Sequence, residues 1–285
     1  MEIVVLSGKG GTGKTTVATN LAQVLNMNYI DCDVEEPNGH IFLKPTIEKQ
    51  IDVEILNPVI DKDKCTLCGK CAEACQFNAL ATVPTGVMLF KELCHGCGAC
   101  MIACLQGAIT EVGRSIGIVS VGNTDGISFM SGKLNIKEPM GGPIISKLKE
   151  ISKFDDHKLL DSSPGTSCSV VKTLDGADYA LLVTEPTKFG LHDLKLAVAL
   201  VKEMGISHGI IVNRNIEGNS MIQDYCESEN IDLIGEIPFS RKAAELYSQG
   251  LLLIDNPEYK MIFETIGTKL IKEASRRSSD AISGN

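Results

Sequence analysis

The chain has 285 residues, a formal net charge of −9, 44% hydrophobic residues and no tryptophan. This composition is typical of a globular protein and excludes the disordered and fibrous classes, while the length predicts one large domain or two smaller ones. Eleven cysteines in a chain this long are too few for a disulfide scaffold. The acidic balance disfavours a nucleic-acid partner.

Apolar runs bear on where the protein works. Residues 1–10 contain no basic segment ahead of a long apolar run, so no signal peptide is expected. Runs such as 196–201 are far shorter than the ~18 residues of a membrane span. The apolar side of the last predicted helix, with Met261, Ile266 and Leu270, is expected to pack on the core because it lacks the features of an interfacial helix. A soluble, cytoplasmic protein without a membrane span is therefore expected.

The predicted elements alternate between strands and helices. Residues 2–6 form an apolar run typical of a buried parallel strand, and the spacing of Val17, Leu21 and Val24 predicts a helix after a glycine-rich turn. Further strands are predicted at 28–31, 116–121, 158–160, 179–183, 209–212 and 233–237. Further helices are predicted at 144–151, 192–204, 221–229 and 258–275. This alternation predicts an α/β fold with a mostly parallel sheet and helices on both faces.

The alternating pattern breaks where short segments are crowded with Cys and Gly. We predict a discontinuous main domain, residues 1–57 and 113–275, interrupted by a smaller inserted domain at 58–112. Residues 276–285 are polar and small and are expected to form a flexible tail.

A phosphate-binding loop lies between the first strand and the first helix. Residues 8–15 match G-x-x-x-x-G-K-[ST]. In such a loop backbone N–H groups converge on the phosphates, Lys14 places a charge on the β- and γ-phosphates, and Thr15 ligates magnesium. ATP or ADP and Mg²⁺ are therefore the predicted cofactors. The predicted nucleotide-binding residues of the loop are Gly8, Gly10, Gly11, Thr12, Gly13, Lys14, Thr15 and Thr16.

A second lysine, Lys9, follows the first glycine of the loop. Residues 9–16 resemble the deviant Walker A loop of the MinD/ParA family of P-loop ATPases, which includes the nitrogenase iron protein and cytosolic iron-sulfur scaffold ATPases. Four further segments resemble this family in the same order. They are 31–38, like switch I; 161–166, like the Walker B and switch II segment; and 211–214 and 235–238, like the two strand ends beside the adenine.

The resemblance implies a role for each of these residues. Asp33 matches the residue that positions the attacking water, although a plain strand-end carboxylate is the alternative, and Asp161 matches the residue that holds magnesium through water. Lys9 would reach the partner's phosphates across an ATP-dependent homodimer; outside this motif it would be a solvated loop lysine. With Lys14 these residues form the implied catalytic set. The implied adenine-side residues are Asn213, Arg214 and Pro238.

Eight of the cysteines form two runs with the spacing C-x2-C-x2-C-x3-C. This is the spacing of bacterial ferredoxins, in which the fourth cysteine of each run ligates the other cluster. We therefore predict that the insert is a small α+β ferredoxin-like domain with two 4Fe-4S clusters. The predicted ligands are Cys65, Cys68, Cys71 and Cys104 for the first cluster, and Cys75, Cys94, Cys97 and Cys100 for the second.

Other interpretations of the runs are weaker. Zinc favours paired C-x2-C knuckles, and disulfides are rare in the cytosol. Gln76 and Leu105 stand where ferredoxin runs usually place proline, which affects the local turn but removes no ligand. His95, inside the second run, is expected to be an exposed loop residue rather than a ligand.

The three remaining cysteines are less informative. Cys168 lies seven residues after Asp161, where the nitrogenase iron protein also carries a cysteine that binds its intersubunit cluster. No cysteine lies between Cys104 and Cys168, so the second ligand of such a site is missing, and a switch thiol without a metal is favoured. Cys32 and Cys226 are expected to be packing residues.

Three functions are compatible with these features. The first hypothesis is an ATPase that couples ATP hydrolysis to electron transfer from the clusters to a partner protein or metallocentre, because a domain inserted after Asp33 can sense the γ-phosphate. The second is an ATPase for iron-sulfur or metallocofactor assembly, which carries clusters or electrons to an apo-target. The third is an ATP-switched binding or positioning protein whose clusters are structural.

Overall fold

The computed structural model describes residues 1–283, with side chains described through Arg276. Its strands are β1 (Glu2–Leu6), β2 (Asn28–Asp31), β3 (Thr46–Ile60), β4 (Leu80–Val83), β5 (Gly86–Leu89), β6 (Ile109–Thr124), β7 (Ile127–Leu134), β8 (Lys158–Asp161), β9 (Tyr179–Thr184), β10 (His208–Asn215) and β11 (Asp232–Pro238). Its α-helices are α1 (Lys14–Leu25), α2 (Gly39–Leu43), α3 (Lys70–Glu73), α4 (Ala99–Ala103), α5 (Gly142–Ile151), α6 (Cys168–Leu174), α7 (Lys188–Glu203), α8 (Met221–Glu229), α9 (Arg241–Ser248) and α10 (Pro257–Ser283).

Nine of the strands form one sheet in the order β11-β10-β9-β1-β8-β2-β7-β6-β3. The pairings from β11 as far as β7 are parallel, whereas β6 pairs antiparallel with both β7 and β3. The predicted α/β class with a mostly parallel sheet is confirmed. β4 and β5 form a separate two-stranded sheet between the two cysteine runs.

Helices cover both faces of the large sheet, and each face has its own apolar core. Val4 and Leu6 of β1 belong to one core cluster, whereas Ile3 and Val5 belong to the other. Successive side chains of a strand point to opposite faces, so a strand covered on both sides is a continuous apolar run. Ile266 and Leu270 of α10 lie in the second cluster, so the last helix packs on the core as expected, but Met261 of the predicted apolar side is exposed.

The antiparallel end of the sheet extends beyond the sequence prediction. The sequence predicts one strand at 116–121, but β6 has 16 residues and pairs with the 15-residue β3 and with β7. The two long strands form a hairpin whose last pair is Ile60 with Ile109. The cysteine-rich segment 61–108 is connected to the end of this hairpin, and the predicted insert boundaries lie among its paired residues.

Helix α10 continues through residues 276–283. The sequence predicts a flexible tail there, because those residues are mostly polar and small. The helical backbone extends past Ala274, the last buried apolar residue among those whose side chains are described, since adding turns to an existing helix is inexpensive. Residues 284 and 285 of the predicted tail lie outside the described residues. No helix within residues 1–283 is long and apolar enough to span a membrane.

Candidate nucleotide site and cysteine sites

The glycine-rich loop is fixed by its own backbone and by β10. Gly11 and Gly13 have φ angles of 81° and 89°, which favour glycine. A Cβ on Gly13 would lie 2.1 Å from Nδ2 of Asn213. That same amide donates to the carbonyl oxygen of Thr12 at 2.8 Å. A residue predicted to lie beside the adenine therefore also holds the loop that precedes Lys14, the first residue of α1.

Three residues of the predicted catalytic set meet at the carboxyl ends of β2 and β8. These strands are parallel neighbours, so their ends lie at the same edge of the sheet. The Nζ atom of Lys14 lies 2.5 Å from Oδ1 of Asp161 and 4.0 Å from Oδ2 of Asp33. Lys14 and Asp161 are buried, whereas Asp33 is half-buried. The structure thus brings these three side chains together around one ammonium group.

Two further side chains shape this centre. Tyr29 is fully buried in β2, and its hydroxyl donates to Oδ2 of Asp161 at 2.9 Å. Asp31 accepts hydrogen bonds from the backbone N–H groups of Asp33, at 3.2 Å, and of Gly39, at 2.9 Å. Asp31 therefore holds the chain that leaves β2, as a supporting residue. The sequence analysis missed Tyr29; its only signal is a hydroxyl in an otherwise apolar strand just before two aspartates.

The site carries more negative than positive charge. Burial, followed by repulsion from Asp161, raises the pKa of Asp31 well above its usual value. Burial and Asp161 also raise the pKa of Asp33 to about 6, against the lowering effect of Lys14. Burial alone would lower the pKa of Lys14, but its ion pair with Asp161 raises it. Three acidic side chains around one ammonium carry excess negative charge when they ionise, and a divalent cation would balance it.

Lys9 makes an ion pair within its own chain. Its Nζ lies 2.5 Å from Oε1 of Glu185, and Nη1 of Arg214 lies 3.7 Å from the other oxygen of the same carboxylate. Glu185 follows β9 and escaped the sequence analysis, since no local motif marks it. The predicted reach of Lys9 to a partner's phosphates remains a prediction, and it requires this pair to open.

A cleft of about 1240 Å³, counting the space that opens to solvent, lies beside these residues. Its lining includes most of the predicted nucleotide-binding residues and several side chains from the chain after β11. The predicted residues in the lining are Gly10, Gly11, Gly13, Lys14, Thr15, Thr16, Asp33, Asn213, Arg214 and Pro238. Gly8 lies behind the loop, where a Cβ would meet the backbone of Asp193 at 2.1 Å. Phe239 and Tyr247, which the sequence analysis missed, add aromatic surface to the cleft.

The eight cysteines line two cavities. One cavity, of about 360 Å³ with its opening, is lined by Cys65, Cys68, Cys71 and Cys104. The other, of about 350 Å³, is lined by Cys75, Cys94, Cys97 and Cys100. Each cavity takes three thiols from one run and the fourth from the other run. This is the grouping that the ferredoxin spacing predicts.

A short helix in each run places the fourth cysteine in the cavity of the other run. Gly69 and Gly98, with φ angles of 79° and 74°, precede α3 and α4, and each helix carries its chain to the fourth cysteine of the run. The backbone N–H groups of Ala79 and Ala108 donate to the sulfurs of Cys75 and Cys104 at 3.3 and 3.4 Å. These bonds fix the two sulfurs relative to the chain that follows each run.

Each set of four thiols surrounds a cavity and does not converge on the position of a single metal ion. Among the described residues, no three His, Cys, Asp or Glu side chains are arranged to hold a single metal ion. His95 is half-buried rather than exposed: its ring stacks on Phe77 at 3.6 Å between centroids, and its Nδ1 lies 3.0 Å from the carbonyl oxygen of Leu93. Of the remaining cysteines, Cys32 and Cys226 are buried in the core, and Cys168 is exposed at the start of α6.

Comparison with known proteins identifies the fold family. The profile of the CobQ/CobB/MinD/ParA nucleotide-binding domain matches residues 3–254. The chain belongs to this family. It is a P-loop ATPase of the MinD/ParA type, as the loop and the segments after β2 and β8 predict.

Individual relatives cover nearly the whole chain. An uncharacterized protein of Methanocaldococcus jannaschii is 31% identical over 95% of this chain and 98% of its own length. An iron-sulfur cluster carrier protein of Pyrococcus abyssi is 25% identical over 98% of this chain and 88% of its own length. The septum site-determining protein MinD of Pyrococcus horikoshii, solved with Mg-ADP, shares the fold at a TM-score of 0.60 and 19% identity, over 97% of this chain and 98% of that one.

The raised pKa of Asp33 predicts an acid limb in the activity of this MinD/ParA-type ATPase. A carboxyl group that activates the attacking water as a base acts in its ionised form, so kcat/KM for ATP hydrolysis should fall as the pH drops through about 6. The substitution Asp33→Asn should lower kcat by ~10²- to 10⁴-fold and abolish that limb while nucleotide still binds. Glu203→Gln, at an exposed carboxylate of α7, is the control. An unchanged limb in Asp33→Asn would contradict the assignment.

Two glycines of the ATPase loop provide a matched pair of substitutions. Gly13→Ala forces a side chain into a positive φ and against Asn213, so the free energy of unfolding should fall by ~1–3 kcal/mol and ATP affinity should drop. A Cβ on Gly10 has nothing within 4 Å, so Gly10→Ala should change the unfolding free energy by less than ~0.5 kcal/mol. Urea denaturation without nucleotide measures both. Equal losses would show that contact with Asn213 does not constrain the loop.

Proposed function

We propose that this ATPase acts in iron-sulfur or metallocofactor assembly, carrying clusters on its eight-cysteine segment and delivering them to partner proteins under the control of ATP. The observation that supports it is the pair of four-thiol cavities at the end of a hairpin that starts just after the nucleotide site. Relatives named iron-sulfur cluster carriers, which match over nearly the full chain, add to this support. Eight reduced thiols suit a cytoplasmic protein.

The nucleotide site fits Mg-ATP through the groups that are present. The backbone N–H groups of the loop and the start of α1 favour phosphate, and Lys14 supplies the positive charge. Thr15 and Asp161 would hold the magnesium, which neutralises charge on the phosphates. Asp161, in holding magnesium, would no longer pair with Lys14, so the lysine would be free to turn to the phosphates. Nucleotide binding would thereby replace one charge pair by another.

Hydrolysis would follow from the position of Asp33. Its half-buried carboxylate, 4.0 Å from Lys14, faces the cleft and can accept a hydrogen bond from the attacking water. ATP would also promote a homodimer in which Lys9 leaves Glu185 and reaches the partner's nucleotide. Glu185 would then retain Arg214 as its cationic neighbour, so that its charge stays partly balanced.

The cysteine segment fits two 4Fe-4S clusters by its donor set. Each cavity offers four thiols, which is the ligand number of such a cluster. Apolar side chains, among them Leu80 and Ile109, pack beside Cys71 and Cys100. We therefore propose a ferredoxin-like inserted domain at 58–112, with the cross-ligated sets that the sequence predicts. Bound clusters would supply either a transferable iron-sulfur unit or a site for single electrons.

Delivery of a cluster is a ligand exchange. Each thiolate of an acceptor protein replaces one thiolate of this chain, so the iron keeps its coordination number and no oxidant or reductant is consumed. Cys68 and Cys97 are exposed, one in each set, whereas Cys71, Cys94 and Cys100 are buried. Exchange would begin at the exposed thiols, and ATP binding or hydrolysis would loosen the buried ones.

A second candidate is ATP-dependent electron transfer from resident clusters to a partner. It is favoured by the burial of Cys71, Cys94 and Cys100, because a cluster held partly inside an apolar segment is suited to stay. The two functions share the ATP site and the thiol sets, and they differ in whether iron leaves the chain.

The ligand sets can be tested by counting iron in anaerobically purified protein. Two 4Fe-4S clusters give about eight irons per chain. With crossed ligation, the double substitution Cys75→Ala with Cys94→Ala damages one set and should leave about four irons, whereas Cys75→Ala with Cys65→Ala damages both sets and should leave almost none. Ligation by consecutive runs would reverse these two results. Cys226→Ala should retain about eight.

The function can be tested with an apo-4Fe-4S dehydratase as the acceptor. Delivery predicts that ATP speeds recovery of dehydratase activity while iron leaves this chain, and that Asp33→Asn abolishes the acceleration. An iron chelator in the solution controls for release of free iron. Reduction of an acceptor with all iron retained would instead support electron transfer. The same rates with ADP as with ATP would contradict both.

A further inference from the structure

Arg114 of β6 connects three segments at the base of the cysteine segment. Its Nε donates to Oδ1 of Asn57 in β3 at 3.3 Å, and its Nη2 donates to the carbonyl oxygen of Lys91 at 3.3 Å. Its Nη1 forms an ion pair with Glu138 in the chain between β7 and α5. Lys91 lies three residues before Cys94. One guanidinium group therefore links three parts of the chain: the sheet, the loop at 135–141, and the segment that leads to the second thiol set. The second thiol set is Cys75, Cys94, Cys97 and Cys100.

The 135–141 loop is tied in turn to the chain that follows Asp33. The backbone oxygen of Val34 accepts from the N–H of Leu134 at 2.8 Å. A Cβ on Gly141 would lie only 2.4 Å from Cγ2 of Val34, so the buried side chain of Val34 packs closely against the far end of the loop. A displacement of residues 33–38 therefore moves both ends of the loop that carries Glu138.

Two side chains that bond to Arg114 each have a further polar atom that makes no hydrogen bond to the described part of the chain. Nδ2 of Asn57 and Oε2 of Glu138 are buried without a hydrogen-bond partner among the described residues. A buried polar group without a partner is destabilising, and an arrangement in which either atom gains a partner would remove part of that cost.

We propose that Arg114 is a positioning residue that transmits the nucleotide state from residues 33–38, through Val34 and Glu138, to the second thiol set. The inference rests on the proposed function, because it describes how ATP regulates the cysteine segment. It favours one set: Arg114 bonds to the carbonyl oxygen of Lys91, three residues before Cys94, whereas on the chain that leads to Cys65 it bonds to Asn57 in β3, eight residues before that cysteine. ATP should therefore change the surroundings of the second set more than those of the first.

Hydrogen exchange of the full anaerobically purified chain tests the inference without depending on cluster activity. ADP is compared with a non-hydrolysable ATP analogue, each with magnesium, over peptides covering 31–39, 63–72 and 90–98. In the wild type the analogue should change exchange at 31–39 and 90–98 more than at 63–72. In Arg114→Gln the response at 31–39 should persist, while the response at 90–98 should fall by about 2- to 30-fold.

Three further variants separate coupling from a structural clamp. Glu138→Gln keeps the shape of the side chain but removes its charge, so it should reduce the response at 90–98 and add little to Arg114→Gln in the double variant. Arg114→Lys keeps the positive charge but loses the planar guanidinium group, so its exchange at 90–98 should change only weakly between ADP and the analogue. Arg276→Gln, at a half-exposed arginine of α10, is the matched control.

The outcomes are distinct. A residue that only clamps the segment would raise exchange at 90–98 equally with ADP and with the analogue, and that result would overturn the inference. So would a wild type that responds at 31–39 but not at 90–98, although ATP-dependent delivery could still hold. Loss of ATP-dependent delivery with normal coupling at 90–98 would contradict the proposed function and leave the role of Arg114 intact.

Discussion

The buried ion pair between Lys14 and Asp161 is the interaction on which the nucleotide site depends. Removing one partner of a buried pair typically costs 3–5 kcal/mol, because the other charge is left without compensation. Asp161 satisfies its second oxygen with Tyr29, so both of its oxygens are engaged. Under the proposed function, phosphates and a cation would supply each member of the pair with a new partner. Binding would then affect every group bonded to Asp161 or Lys14.

The sheet topology offers a route by which such an effect would reach the cysteine segment. β2 lies beside β7, and β7 is followed by β6 and β3, whose hairpin ends in the two cysteine runs. The chain after Asp33 packs against β7 and the loop that follows it through Val34. Switch residues and thiols are thus separated by a few strongly hydrogen-bonded strands rather than by a flexible linker. Rigid strands transmit a displacement, whereas a flexible linker would absorb it.

The sequence predicted the features that local chemistry determines. Continuous apolar runs identified the parallel strands, and the glycine positions identified the phosphate loop, because both patterns follow from neighbouring residues. The alternation of Ile51, Val53 and Ile55 with polar residues marks β3, but the sequence analysis assigned no strand there, and its partner β6 lies beyond the cysteine runs in the sequence. Glu185 was missed because its partner Lys9 is 176 residues away in the sequence. Only the fold places such pairs together.

Burial of the thiols bears on what the cysteine segment can do. Each cavity combines one exposed cysteine, Cys68 or Cys97, with at least one buried cysteine; the others are half-buried. Electrons can pass through a closed segment, since no bond to iron needs to break. A cluster can leave only if the buried thiolates are exposed as well, and that requires the apolar contacts around Cys71 and Cys100 to loosen. Delivery therefore demands a conformational change that electron transfer does not, and a nucleotide-responsive contact at Arg114 would place such a change on the side of the second set.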